Sequence, residues 1–106
     1  MVEAVNDANI QLLLEMLNRF HIDFDSITGF NGNSLLIIAT IKGHTEMVEF
    51  LVKKGIDINI KNDEGNTALH YAISANRHKI IDILISYGAD ELSENKLGIT
   101  PWQTRF

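Results

Sequence analysis

Short glycine-led motifs return along this chain at intervals of 33 residues, and that period constrains the fold more than any other feature. Gly32-Asn33-Ser34-Leu35-Leu36 is followed by Gly65-Asn66-Thr67-Ala68-Leu69 and then by Gly98-Ile99-Thr100-Pro101-Trp102. A second register agrees, because Gly55-Ile56-Asp57 returns as Gly88-Ala89-Asp90 and Ala39 returns as Ala72. Such a period marks supersecondary units that cannot bury their apolar faces alone and must stack on one another.

Each unit contains two helical patterns. In the first, Ser34 is placed to cap a helix over Leu35 to Ile41, Gly43 breaks it, and a second helix runs from Thr45 to Lys53 with Met47, Val48, Leu51 and Val52 as its apolar stripe. In the next, Thr67 caps a helix over 68–75, and a second helix over 77–86 presents Ile80, Ile81, Leu84 and Ile85. Gly55 and Gly88 stand where a left-handed residue commonly ends a helix. Upstream, Ile10, Leu13, Leu14 and Leu17 predict a helix over Ile10 to Phe20, with Asp7 or Asn9 as its cap. The segment Leu14 to Asp23 parallels Val48 to Asp57 at an offset of 34, so the Phe24 to Phe30 connection carries one extra residue. Downstream, Thr100 and Pro101 suit a cap and a first helical turn. Trp102 falls in register with Leu69 and Leu36, and is expected to act as a lid on the unit before it. The small residues at Ala39 and Ala72 predict close helix approach.

A chain of 106 residues is one domain that buries roughly 60 to 65% of its unfolded surface. Nine Lys and Arg against fourteen Asp and Glu leave a formal charge of −5. That balance repels a phosphate backbone over the surface as a whole, which argues against nucleic acid while leaving room for a local basic patch. The densest basic stretch, Lys53-Lys54, is read as complementing a helix C-terminus. Cysteine is absent, which removes disulfides and thiolate metal sites. The N-terminal residues lack a secretory pattern, and no apolar run is long enough to span a bilayer. The expected location is cytoplasmic.

The stretch Asn62-Asp63-Glu64-Gly65-Asn66-Thr67-Ala68-Leu69-His70-Tyr71-Ala72, continued by Ile80-Ile81-Asp82-Ile83-Leu84-Ile85-Ser86-Tyr87-Gly88-Ala89-Asp90, resembles an ankyrin repeat over its whole length. The preceding unit resembles it through Gly43-His44-Thr45-Glu46-Met47-Val48-Glu49-Phe50-Leu51. The resemblance implies an all-α ankyrin-repeat solenoid of stacked antiparallel helix pairs joined by β-hairpin-like loops. Its expected divisions are a degenerate N-terminal unit over 1–28, repeats over 29–61 and 62–94, and a truncated unit over 95–106. Three departures from the pattern are expected to disturb local geometry: Asn76-Arg77 in place of Gly-His, Ile37 where the other unit has His70, and the turn Gly29-Phe30-Asn31.

The resemblance also implies where a partner protein would touch, at the loop tips and the inner end of the first helix of each unit. Carried onto this chain, those positions are Phe30, Asn31, Asn33, Ile41 and Lys42, then Asp63, Glu64, Asn66, Ser74 and Ala75, then Lys96, Leu97 and Ile99. Phe30 has two readings, one folded back onto the lengthened loop before it and one in contact with a partner. If Phe30, Ile41 and Leu97 share a side, they form an apolar anchor with a polar rim.

Catalytic readings fare poorly. His44-Thr45-Glu46 lacks the His-Glu-x-x-His spacing of a zinc site, and the glycines lack the order and lysine of a phosphate loop. His70 and His44 are assigned to structural hydrogen bonds at the repeat turns, and His21 and His78 to solvent. Ser34 and Thr67 have capping roles that need no base, and Asp57, Asp63 and Asp90 belong to turns. The expected function is therefore non-catalytic: an adaptor, inhibitor or recruitment module that binds another protein through its concave repeat face, with no cofactor or metal. Two alternatives stay open, the ankyrin segment of a larger enzyme or signalling protein and a self-associating architectural module. The stack makes one stability prediction at once. Leu69→Ala is expected to lower the free energy of unfolding in urea by about 2 to 5 kcal/mol, and a negligible loss would remove Leu69 from the core.

Overall fold

The computed structural model describes residues 9–20, 25 and 28–105. Five α-helices are present among them: α1 (Ile10–Phe20), α2 (Leu35–Lys42), α3 (Thr45–Lys53), α4 (Ala68–Ser74) and α5 (His78–Ser86), followed by a 3-10 turn (Pro101–Arg105). The expected cap Asp7, the residues His21 and Phe24, and the side chains of Leu13, Leu14 and Leu17 lie outside what is described. Asn9 caps α1 through Oδ1, which accepts the Leu12 N–H at 3.0 Å.

Two rows of helices follow from the amphipathic patterns. Each unit is an antiparallel pair, α2 with α3 and α4 with α5. The pairs stack so that α4 packs between α2 and the 3-10 turn in an inner row, while α3 packs on α5 in an outer row. Met47, Val48, Leu51 and Val52 of α3 are buried, as are Ile80, Ile81 and Leu84 of α5. In the inner row α2 is buried from Leu35 through Thr40, and Ala39 and Ala72 are fully inaccessible. A helix buried on nearly every face depends on its neighbours for stability, because no exposed polar face offsets its apolar surface.

The four helix ends share one geometry. At Gly55 the backbone enters the left-handed region (φ +88°), the Ile56 N–H reaches the Leu51 carbonyl at 3.2 Å and the Gly55 N–H reaches that of Val52 at 3.1 Å. Gly88, Gly43 and Asn76 repeat this double-bonded termination. Asn76 was expected to loosen its turn, and the structure corrects that. It takes φ +55°, and the Arg77 N–H reaches the Ala72 carbonyl at 2.8 Å, against 3.0 Å for the matching His44 to Ala39 bond. Asparagine tolerates the left-handed region better than other residues with a side chain, so the exchange preserves the bend.

The expected disturbance at Gly29-Phe30-Asn31 is real, in backbone and side chains, but it leaves the closing bond of the tip intact. The Gly29 N–H closes the first tip on the Asn33 carbonyl at 2.8 Å. The Asn62 N–H closes the second on the Asn66 carbonyl at 2.9 Å, and the Asn95 N–H closes the third on the Ile99 carbonyl at 3.0 Å. Glycine, however, has no carboxamide to accept the tip N–H groups, and Asn31 adopts φ +61°. Trp102 also differs from its expected role. It remains 37% exposed and its indole N–H donates to Glu91 Oε1 at 2.9 Å, so the end of the stack is covered by the 3-10 turn as a whole, with Pro101 buried.

The tips stack through their backbones, the Asp63 N–H on the Asn31 carbonyl and the Lys96 N–H on that of Glu64, each at 3.0 Å. Glycine makes the second contact possible. A Cβ on Gly65 (φ +80°) would lie 2.9 Å from the Lys96 nitrogen and 3.1 Å from the Asn95 Cα, whereas one on Gly98 (φ +75°) would meet nothing within 4 Å. Gly98→Ala is thus expected to cost about 1 to 2 kcal/mol from backbone strain alone. Gly65→Ala should cost about 1 to 3 kcal/mol more, because backbone atoms must move. Equal losses in urea unfolding would show that tip stacking does not limit the site.

A candidate protein-binding face along the repeat tips

A ladder of side-chain amides holds the three tips in register. Asn62 Nδ2 donates to Asn33 Oδ1 and Asn95 Nδ2 donates to Asn66 Oδ1, both at 2.9 Å. Within the second and third tips the same asparagine folds the backbone: Asn62 Oδ1 accepts from the N–H groups of Glu64 and Asn66, and Asn95 Oδ1 from those of Leu97 and Ile99. Tyr71 completes the second tip, its hydroxyl accepting from Asn62 Nδ2 at 2.7 Å. Beyond the outer helices a parallel ladder runs from the Asp57 N–H to Asp25 Oδ1 (2.7 Å) and from the Asp90 N–H to Asn59 Oδ1 (2.8 Å).

His70 ties the second unit to the third. Its Nδ1 accepts the Thr67 N–H at 3.1 Å and lies 2.9 Å from the Thr67 hydroxyl, and its Nε2 lies 2.8 Å from the Ile99 carbonyl. A carbonyl only accepts, which assigns the ring proton to Nε2 and leaves Nδ1 as the acceptor. The result is a reciprocal cap on α4. In the first unit Ile37 cannot reciprocate, so Ser34 Oγ alone caps α2 by accepting the Ile37 N–H at 3.2 Å. Gln103, in register with His70, accepts the Thr100 N–H through Oε1 at 2.8 Å.

The thirteen positions implied by the resemblance divide in two. Phe30, Ile41, Lys42, Asp63, Glu64, Ser74, Ala75, Lys96 and Leu97 are exposed. Asn31, Asn33, Asn66 and Ile99 are half-buried and hold the stack: Asn33 and Asn66 accept ladder bonds, Ile99 accepts from His70, and Asn31 Nδ2 donates to Glu64 Oε1 at 2.8 Å. Phe30 is 92% exposed and Leu97 is 82% exposed, and part of the loop over 24–29 onto which Phe30 could fold lies outside the described residues. Ile41, at 39%, lies in the last turn of α2, at the opposite edge from the tips.

Between the second and third units lies an inner cleft of about 260 Å³ whose walls include Asn66, Tyr71, Ser74, Ile99, Gln103 and Thr104. Tyr71 and Gln103 were not anticipated as part of this face. Their spacing relative to Asn62 and His70 carried the signal, but only the structure turns both toward that junction. Among the described residues no helix is long and apolar enough to cross a membrane.

Stacked helix pairs with hairpin-like tips, presenting a ridged surface held by backbone and amide ladders, define a helical-repeat recognition scaffold. The family model for ankyrin repeats (3 copies) matches residues 1–95, and the chain belongs to that family. An ankyrin repeat protein of fowlpox virus, FPV034, is 36% identical over 92 residues, covering 87% of this chain and 20% of its own length. Protein phosphatase 1 regulatory subunit 12A of Rattus norvegicus is 32% identical over 103 residues, covering 93% of this chain and 10% of its own. The crystal structure of the ankyrin repeat domain of Bcl-3 superposes with a TM-score of 0.89 at 29% identity, covering 95% of this chain and 44% of that one. The chain thus spans a fifth or less of these curated relatives. Ankyrin repeats are non-catalytic and typically bind proteins.

His70 gives the scaffold a pH dependence. Burial pushes its pKa below the ordinary 6.5, with the Ile99 carbonyl opposing and Lys61 adding to the shift. Folded His70 therefore stays neutral where the unfolded chain has begun to take up a proton. Its contribution is complete above pH 6.5 and declines as pH falls from there toward the folded value. His70→Gln, which mimics the cap already made by Gln103, is expected to flatten that part of the stability profile. Parallel urea-midpoint profiles for the two proteins below pH 6.5 would assign the dependence elsewhere.

Proposed function

We propose that this chain is a non-catalytic adaptor or inhibitor module that binds a partner protein along its tips and inner face. The observation that carries the reading is the exposure of Phe30 (92%) and Leu97 (82%) on tips whose backbones are closed on themselves and bonded to one another. Large apolar side chains on a rigid, hydrogen-bonded row are preorganised anchors, and they lose little freedom on binding. Asp63, Glu64 and Lys96 surround them as a charged rim. Two acids on that rim and an overall charge of −5 favour a basic partner surface and faster association at low salt. A footprint of this size reaches useful affinity only through a few good anchors.

A second reading, that the chain acts as the recognition segment of a longer protein, is favoured by the small share of its relatives that it spans. In that setting the units over 29–61 and 62–94 would supply recognition and other domains the chemistry. A regulatory subunit among the relatives fits either arrangement.

The test is capture from a native lysate with wild-type protein and with Phe30→Ala/Leu97→Ala, followed by titration of whichever purified protein is lost with the variant. The expected outcome is a loss of affinity of about tenfold or more with an unchanged melting temperature. Undiminished affinity in the double variant would reject the tip row as the binding face.

A further inference from the structure

The pair that breaks the repeat pattern, Asn76-Arg77, lies at the edge opposite the tips, where the stack is basic. Lys42 ends α2, and Arg77 and Lys79 open α5 of the next unit. No Asp or Glu occurs in 42–45 or in 75–79, and Glu46 in the first turn of α3 is the acid nearest in sequence to the first stretch. A cleft of about 240 Å³ opens between the two units there, with Thr45, Arg77 and Lys79 on its walls and Ile80, almost fully buried, at its base.

Arg77 is built across the unit boundary. Its Nη2 reaches the Ile41 carbonyl at 3.5 Å, and a Cβ on Gly43 would stand 2.8 Å from its Cζ and 2.9 Å from its Nη1. The bare backbone at Gly43 therefore supplies the space that the guanidinium fills. One long bond to a carbonyl leaves further N–H donors of the fork unused. Among the described residues neither Lys42 nor Lys79 forms an ion pair. Arg77 and Lys79 line one cleft and repel each other, with Asp82 one turn further along α5 and Glu46 on α3 as the acids nearest the cleft-lining residues in sequence, so the pair is at its most favourable with an anion beside it.

We propose that this cleft docks an acidic segment of a partner protein, one Asp or Glu carboxylate lying against the Arg77 fork with Lys79 beside it. A volume of about 240 Å³ suits a single side chain. A net charge of −5 opposes a long polyanion such as nucleic acid, whereas a short acidic segment within a Debye length of about 8 Å meets mainly the local positive field. The inference rests on the chain being a protein-binding module, but it uses the other edge of the stack and residues that the tip row does not share.

The test is fluorescence anisotropy of the full chain with a fluorescein-labelled hexaglutamate peptide, with a labelled single-stranded oligonucleotide of equal charge as comparison, at about 50 mM and about 300 mM NaCl. Hexaglutamate is expected to bind the wild type more tightly than the oligonucleotide, and to be weakened by salt. Arg77→Gln/Lys79→Gln should weaken it about tenfold or more, and Arg77→Lys, which keeps the charge and loses the fork, by less. Arg77→His, the residue at the matching position 44, serves as the folding control, and melting curves confirm that each variant is folded. Phe30→Ala/Leu97→Ala should bind hexaglutamate as the wild type does, which separates this site from the tip row. Absence of binding, equal binding by the glutamine variant, loss in the tip variant or preference for the oligonucleotide would each overturn the proposal.

Discussion

Burial in this molecule is shared across units. Leu35 through Thr40 are buried along six consecutive positions, which no two-helix unit achieves by itself. Helix α4 lies on one side of that surface and hides its own Leu69, Ala72 and Ile73 by the same contact. Closing each layer creates the surface on which the next is closed, and the apolar energy of the fold is an energy of neighbours. Small residues at Ala39 and Ala72 keep the helices near enough for that contact to be continuous.

Apolar contact alone would not fix the register of one unit on the next, since smooth surfaces slide. Directional bonds repeated at each junction supply that specification: tip backbone to tip backbone, amide to amide, and the loop N–H groups of Asp57 and Asp90 to the side chains of Asp25 and Asn59. His70 adds a bond at the second junction that Ile37 does not make at the first. At the tip apices Asn31 and Glu64 bond to each other across the first junction, whereas Phe30 and Leu97 are left in solvent.

The helices were legible in the sequence to within a residue, because each carries its own stripe and its own stop signal. Ile10 to Phe20 and Thr45 to Lys53 are framed by periodic apolar residues, and Gly43, Gly55 and Gly88 mark bends that few other residues permit. Side chains that act between units were less legible. Asn62 and Asn95 repeat at the same spacing as everything else, so nothing in the pattern separates a ladder amide from a solvated one. Asn76 looked like a defect because the pattern records identity, whereas the backbone requires only tolerance of positive φ. The candidate face was outlined from the family resemblance; which of its residues hold the stack and which stand in solvent depends on bonds made across 29 and 33 positions of sequence.

The basic edge shows what a one-dimensional reading of charge omits. Lys42 and Arg77 are far apart in sequence, and Lys53-Lys54 is the denser pair, yet Lys53 is matched by Glu49 at 3.0 Å and Lys54 lies 5.8 Å from the centre of the Phe50 ring. Stacking lays the Arg77 guanidinium against the backbone of Ile41 and Gly43, on either side of Lys42 in sequence, and leaves the adjacent cations already engaged. An eight-residue helix such as α2 separates the two edges of the inner face by about 12 Å. A single extended segment of a partner can therefore meet an apolar anchor at the tips and a cation at the turns within a few residues of its own length. If both proposed sites are used, simultaneous engagement of the two edges would raise affinity without enlarging either.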